Sequence, residues 1–476
     1  MKEKKKDDGE MAEELEKNSY RFWIWSIASM IFRFCIILFP ENINLSSRPE
    51  LSTPLTSLCR LAEGYWLKQA SMSPYSGSMY HGSPLLLSLL GPLTVHGIEG
   101  QWNHHLCSLV FVVSDILSAV LLRATGQQLE KAYRLNLRRL GLLKASRDRG
   151  ILPCGDIAAL VYLWNPFTIL SCVGLSTSPI ENLAVIVSLY GAVTRKQLFE
   201  RRVPLAAFGL IMATHLSLYP ATLVIPLIFL LGYGLDAPPR KLFLQTRDRE
   251  GEPGQDKLTR TTQLPFLWKT VLHFVFWVLV WSIYVLVLCS LSLKQYGGLE
   301  EMFKRTYGFI LNIEDLSPNI GVFWYFFAEA FDFSRNYFLI VFQIYMFLSI
   351  LLPLARRLKH RPCFIAFVYL AFSSILKSYP SVGDAALYLS LWALFVNELT
   401  DMKHSFFIFC GYIGFSLLSP VMHNLWIWRG TGNANFYYAN AMGYACFQFM
   451  FVEESVSAML NHDQALKKAT AEMTKN

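Results

Sequence analysis

The chain has 476 residues, 53% of them hydrophobic and 16% charged, where a soluble domain averages roughly 25% charged. A soluble fold this apolar could not cover its surface. The formal charge of +8 sits in short runs between apolar stretches, which points to a membrane protein and away from a nucleic-acid partner.

The first 19 residues are charged and read as a tail. Beyond them, twelve apolar segments can be measured against the about 20 residues of a spanning helix. They are 20–39, 104–125, 156–172, 180–194, 203–217, 221–235, 270–293, 337–355, 362–376, 383–396, 405–422 and 436–454. The segments 180–194 and 383–396 are short enough to be re-entrant or half-buried helices instead. Arg33 interrupts the first segment and no small-residue cleavage site follows, so that segment is expected to be an uncleaved span. The stretch 83–97 contains Pro84 and Pro92 and is expected to lie along the membrane surface. The predicted organisation is a charged tail (1–19), a membrane domain (20–454) whose first long loop is 40–103, and a second tail (455–476). The fold class is therefore all-α and polytopic, with about twelve transmembrane helices.

The connecting charges orient this path. Lys2, Lys4, Lys5 and Lys6, the basic stretch 126–150, the run Arg195, Lys196, Arg201 and Arg202, and the run Arg356, Arg357, Lys359 and Arg361 all fall on one side. The positive-inside rule makes that side cytosolic, with both termini. The opposite loops are 40–103, 173–179, 218–220, 294–336, 377–382 and 423–435. The loop 294–336, with Lys294, Lys304, Arg305 and Arg335, fits the rule less well. Asn44-Leu45-Ser46 would be a lumen-facing glycosylation sequon. The nine cysteines are scattered, with no CxxC and no Cys/His cluster, so no metal, cofactor or disulfide framework is expected.

A thiol protease would need Cys59 beside a histidine such as His81, His104 or His105, and no local motif links them. A lipid-sugar glycosyltransferase of the GT-C class would carry catalytic acid, usually Asp, in a large first luminal loop. Between Glu41 and Tyr80 the acids are only Glu41, Glu50 and Glu63. Ionisable residues in or near spans are Asp115, Glu181, Glu329, Lys377 and Asp384. Each is either an inter-helix or interfacial anchor or part of a polar pocket for a lipid head group, and Lys377 is placed to snorkel to the interface. The segment 423–438, HNLWIWRGTGNANFYY, sets Asn433 and Asn435 among Gly430, Gly432 and the aromatics Trp426, Trp428, Phe436 and Tyr437. Neutral amides suit sugar hydroxyls, and aromatics also suit an ordinary interfacial belt.

Seven motifs occur in order: SPYSG (73–77), SPLL (83–86), LWNPFTILSCVGLST (163–177), SLYP (217–220), DLSPNIGVFWYFFAE (315–329), KSYPSVGDAALY (377–388) and LWIWRGTGNANFYYA (425–439). Together they resemble the PIG-U family, class U subunits of the GPI transamidase. The charged N-terminus, 236–262 and the C-terminal tail lie outside the resemblance. It implies a GT-C-like fold and a non-catalytic subunit in the endoplasmic reticulum membrane. The expected partners are the other transamidase subunits, including a legumain-like cysteine protease that performs the chemistry, and the GPI lipid. It also implies that Asn433 and Asn435 contact the GPI head group. The alternative class is a GT-C-type GPI mannosyltransferase, which would need essential acids in 40–82.

Overall fold

The computed structural model describes residues 2–38, 45–94, 104–142, 151–194, 202–239 and 266–472, with side chains in the first helix from Ser19 onward. Among these residues all regular structure is helical, apart from a lone antiparallel bridge between Ser57 and Ser176. The main helices are α1 (Lys2–Leu38), α2 (Leu58–Gln69), α3 (Pro84–Leu90), α4 (His104–Arg139), α5 (Cys154–Trp164), α6 (Pro166–Val173), α7 (Ser178–Val193) and α8 (Val203–Ser217). They continue with α9 (Val224–Tyr233), α10 (Trp268–Ser292), α11 (Phe323–Glu329), α12 (Asp332–Leu358), α13 (Pro362–Ile375), α14 (Val382–Trp392), α15 (Ser405–His423) and α16 (Ala434–Glu472).

The described parts of the apolar segments named above are mostly helical, with 156–172 divided between two helices and 221–235 starting in a 3₁₀ turn. Five stretches are long and apolar enough to cross a membrane: Ser19–Leu38, His105–Arg139, Trp268–Ser292, Asp332–Leu358 and Ser405–Trp428. The pair α5 and α6 makes a sixth if it is one span bent by 46°. Pro166 causes that bend, because it has no N–H to continue the ladder. Asn165 then starts a new helix by accepting the Phe167 amide at 3.0 Å. Most of the remaining apolar helices have 10–17 residues.

Lipid is as apolar as leucine, so helices in a membrane are held by close backbone approach and polar contacts. A Cβ on Gly126 of α4 would stand 2.3 Å from the Gly155 Cα of α5. A Cβ on Gly191 of α7 would stand 2.6 Å from the Ala206 amide of α8. Helix α13 is buried along almost its whole length and forms the centre. By contrast α10 turns Leu272, Leu279 and Ile283 outward, as a lipid-facing helix does.

Charges inside the bundle are paired. Arg33 of α1 meets Asp115 of α4 at 3.5 Å with both side chains fully buried. Tyr162 of α5 donates to the same carboxylate at 2.9 Å.

The connections sort to two ends. At one end Asp236 accepts the Cys363 and Phe364 amides, at 2.7 and 3.1 Å, and so caps α13. There too Arg361 meets Glu398 at 3.6 Å and Asp463 at 2.6 Å, and Asn397 pairs with the backbone of Leu152. The other end gathers 45–94, 174–178, 218–220, 298–330, 377–382 and 424–433. The stretch 83–94 lies there as α3 and a 3₁₀ turn. It is less superficial than its composition suggests, since Leu86, Leu87 and Leu90 pack into a core with Val285 and Cys289 of α10.

Candidate functional site

The second end is where the sequence motifs meet. Ser57 caps α2 by accepting the Arg60 amide. The chain beside it is stitched to the α6–α7 turn, with the Leu58 amide on the Leu175 carbonyl and the Thr177 amide on the Thr56 carbonyl. Arg60 pairs with Asp315 at 3.2 Å, and the Asp315 amide donates to the Tyr379 hydroxyl at 2.9 Å. In the turn between α8 and α9, Leu218 takes a φ of 62°, rare for a branched side chain. The next residue, Tyr219, lays its hydroxyl 2.9 Å from Ser378. Lys377 bonds Asp384 at 2.9 Å and lies 3.9 Å from Glu181. Asp384 in turn completes a capping box with Ser381 at the start of α14.

Residues 423–438 form the rim. After α15 the chain takes a π turn over Asn424–Trp428, and the Thr431 and Gly432 amides both return to the Leu425 carbonyl. Gly430 has a φ of 63°, and a Cβ on Gly432 would press within 3.2 Å of the Trp426 amide. Asn433 and Asn435 are both exposed. The Asn433 side-chain oxygen accepts the Phe436 amide at 3.1 Å and so caps α16. The Asn435 oxygen accepts from the Tyr325 hydroxyl of α11. Behind them stand Trp324, Trp426 and Tyr437, with ring centroids 6.1–6.2 Å apart.

Beneath the rim lies a cavity of about 350 Å³ between the first loop, α6, α14, α15 and α16. Its wall is largely apolar, including Leu51, Phe167, Leu170, Ile320 and Val382, with Arg48, Glu50, Ser419 and Asn440 as the main polar groups. Glu50 is only 7% exposed. Its carboxylate accepts from Ser419 at 3.1 Å and Tyr437 at 3.5 Å, and its carbonyl takes the Val382 amide. Burial pushes the Glu50 carboxyl above the usual range, against the pull of its hydrogen bonds and of Arg48.

The other residues singled out from the sequence are dispersed. Glu41, the Asn44 sequon and His104 lie outside the described residues or side chains. Glu63 packs in the first loop near Gly77. Cys59 is exposed on α2, whereas His81 is bonded to the Arg305 carbonyl and stacked on Phe309. His105 and Glu329 are exposed. Asp115 is the Arg33 partner, which makes it an inter-helix anchor. Lys377 does not snorkel, because two carboxylates hold it in the interior at 2% exposure. Sequence reading missed Arg48, Asn440 and Tyr325. Their signal is weak, since an isolated Arg in a loop and an Asn or Tyr near a span end are common.

The family model described as GPI transamidase subunit PIG-U matches residues 27–444. The human GPI-anchor transamidase component PIGU is 32% identical over 434 residues, covering 89% of each chain. The GPI transamidase component GAB1 of Saccharomyces cerevisiae is 28% identical over 410 residues, 86% of each. The GAB1 homolog of Schizosaccharomyces pombe is 26% identical over 433 residues, covering 88% of this chain and 90% of that one. The matched region holds every motif loop gathered at this end of the bundle, and the chain belongs to the PIG-U family.

Proposed function

We propose that this chain is a non-catalytic subunit of a GPI transamidase, holding the complex together and presenting the GPI lipid. The observation that carries it is the family match across residues 27–444, which includes all the motif loops of the assembled end. The chemistry belongs to a partner, a legumain-like cysteine protease subunit, in the endoplasmic reticulum membrane. Glu50, a candidate acid of the first loop, is spent on Ser419 and Tyr437, which disfavours a mannosyltransferase reading. The exposed amides of Asn433 and Asn435, beside an aromatic wall, suit the hydroxyls and phosphates of a GPI head group. The chain follows a twelve-pass path in a GT-C-like fold, with the motif-bearing end in the lumen and both termini in the cytosol. The sorting of loops to two ends supports that path.

The test is expression in cells lacking their own subunit of this family. The chain should restore surface display of a GPI-anchored reporter, and a protease-like subunit should co-purify with it in mild detergent. Terminal tags should be digested by protease added to intact microsomes. Purification as a lone chain that leaves the defect in place would refute the assignment.

A further inference from the structure

Helix α12 ends in charge that the rest of the fold does not use. Over its last thirteen residues the two sides divide cleanly. Phe347, Leu351, Ala355 and Leu358 are buried against the bundle, whereas Leu348, Leu352, Arg356 and Lys359 are exposed. The spacing 348, 352, 356 and 359 is that of one helix face. Its first half is apolar, with Leu348 53% and Leu352 49% exposed, and its tip is cationic. Arg356 lies about 12 Å beyond Leu348 along the axis. Arg357 adds a third exposed cation beside Arg356.

Nothing in the described fold neutralises these three cations. Their side chains form no ion pair and no hydrogen bond among the described residues. The buried acids of the adjoining turns are already taken. Arg361 and His360 hold Asp463, Arg361 meets Glu398, and the Cys363 and Phe364 amides hold Asp236. Cations at a span end orient a chain during insertion and suit the helix dipole, but one can serve both ends. The lipid-facing helices α10 and α15 have a single exposed lysine there, Lys269 and Lys403. The charge of α12 calls for an anion, and the leucines below it call for an apolar chain on the same molecule. An acidic peptide supplies only the first. A zwitterionic lipid sets an ammonium among three cations. An anionic phospholipid supplies both, and its phosphate oxygens match the planar fork of arginine.

We propose that the exposed face of α12 binds an anionic phospholipid of the surrounding bilayer, with its phosphate accepting from Arg356, Arg357 and Lys359 and an acyl chain along Leu352 and Leu348. The site lies at the end of the bundle opposite the rim and is separate from any lipid presented there. It works in whichever leaflet that end faces. Each cation near an anionic surface strengthens binding about fivefold, so three together pin the corner between α12 and α13 to the head-group plane. That corner also carries the Arg361 clamp on Asp463.

The test reconstitutes the full chain, with the subunits that co-purify, into phosphatidylcholine nanodiscs. Each carries a trace of photoactivatable phosphatidylglycerol or phosphatidylcholine with a diazirine on the acyl chain. Phosphatidylglycerol should label peptides spanning 344–352 about tenfold more strongly than phosphatidylcholine. Arg356→Gln with Arg357→Gln and Lys359→Gln should abolish that preference, and Arg356→Lys with Arg357→Lys should keep most of it. Lys467→Gln with Lys468→Gln, which removes two exposed cations of α16 at the same end, should leave it unchanged. Raising salt from about 50 to about 500 mM should lower the preference several-fold, a reading on the unmutated chain that needs no variant to fold. Equal labelling by the two probes, or a preference that survives the triple Gln variant or high salt, would overturn the assignment. So would a preference lost with Lys467 and Lys468, which would make the charge diffuse. Labelling that appears only after co-purifying subunits are stripped away would show a protein on this face and overturn it as well.

Discussion

Arg361, at the entry to α13, and Asp463, near the end of α16, lie 2.6 Å apart across 102 residues of chain. The Arg361 side chain is 1% exposed and Asp463 is 7% exposed. His360 bonds the second oxygen of the same carboxylate at 2.9 Å. Removing Asp463 leaves the buried Arg361 with only the longer 3.6 Å contact to Glu398, and breaking a buried pair costs up to about 3–5 kcal/mol. Asp463→Asn should therefore lower the melting temperature of the purified chain in detergent by several degrees.

Acidity gives the same contact a second readout. Burial pushes the Asp463 carboxyl up, but the His360 hydrogen bond and the Arg361 guanidinium outweigh it and hold it below its ordinary value. A carboxylate depressed in the folded state stabilises the fold above its unfolded pKa, and that contribution disappears as pH falls through the folded value. Glu398 behaves oppositely. Burial raises it to about 7 despite Arg361, so its folded form prefers the proton, and stability declines as pH rises from the ordinary carboxylate range through 7. Melting of wild type minus Glu398→Gln, followed from pH 5 to 8, should show the wild type losing ground as pH rises. A flat difference would remove Glu398 as the cause.

Arg33 and Asp115 make a second buried pair, this one between α1 and α4. Arg33→Leu alone leaves Asp115 buried and unpaired and should cost about 3–5 kcal/mol, seen as poor accumulation or early melting. Asp115→Leu combined with Arg33→Leu should recover much of that loss, because both charges then leave together. A double variant as weak as the worse single one would mean the pair contributes more than mutual neutralisation.

Recognition at the rim needs variants that respect the helix start. Asn433→Ala would remove the cap of α16, worth about 0.5–2 kcal/mol, and confuse folding with binding. Asn433→Ser retains a capping oxygen and loses the amide donors. Combined with Asn435→Ala it should reduce display of a GPI-anchored reporter about tenfold, roughly two lost hydrogen bonds, while the partner subunits still co-purify. Full display with both replaced would reduce the rim to an interfacial aromatic belt.

Replacing Glu41, Glu50 and Glu63 by Gln, singly and together, should leave GPI attachment near normal. For Glu50 the reason is geometric, since a Gln oxygen can still accept from Ser419 and Tyr437. Loss of activity in a complex that assembles fully would revive the glycosyltransferase alternative.

The helical class was legible because apolar runs near bilayer length have few other uses. Arg33 stood out as an interruption, but its partner could not be read, since Asp115 lies 82 positions away and nothing local links the two. Lys377 misled for a related reason. Near a span end a lysine can reach water, and only the fold brings Glu181 from α7 to its side. At the rim the sequence exposed Asn433 and Asn435 through their glycine and aromatic setting. It could not show that Asn433 also starts a helix, because capping depends on where the π turn over Asn424–Trp428 stops. Arg48 and Asn440 were invisible individually. Their meaning comes from facing one cavity across 392 residues of chain.

Helix α16 carries a mechanical consequence. Its 39 residues form one unbroken rod of about 58 Å, with Asn433 capping one tip and Asp463 anchored near the other. A rod this long acts as a lever. A tilt of a few degrees, too small to disturb the rim, displaces the far tip by several ångströms. Any tilt at the rim would be felt, enlarged, at the clamp that Arg361 and His360 form on Asp463. A spectroscopic probe on the last turn of α16 would register movement at the rim.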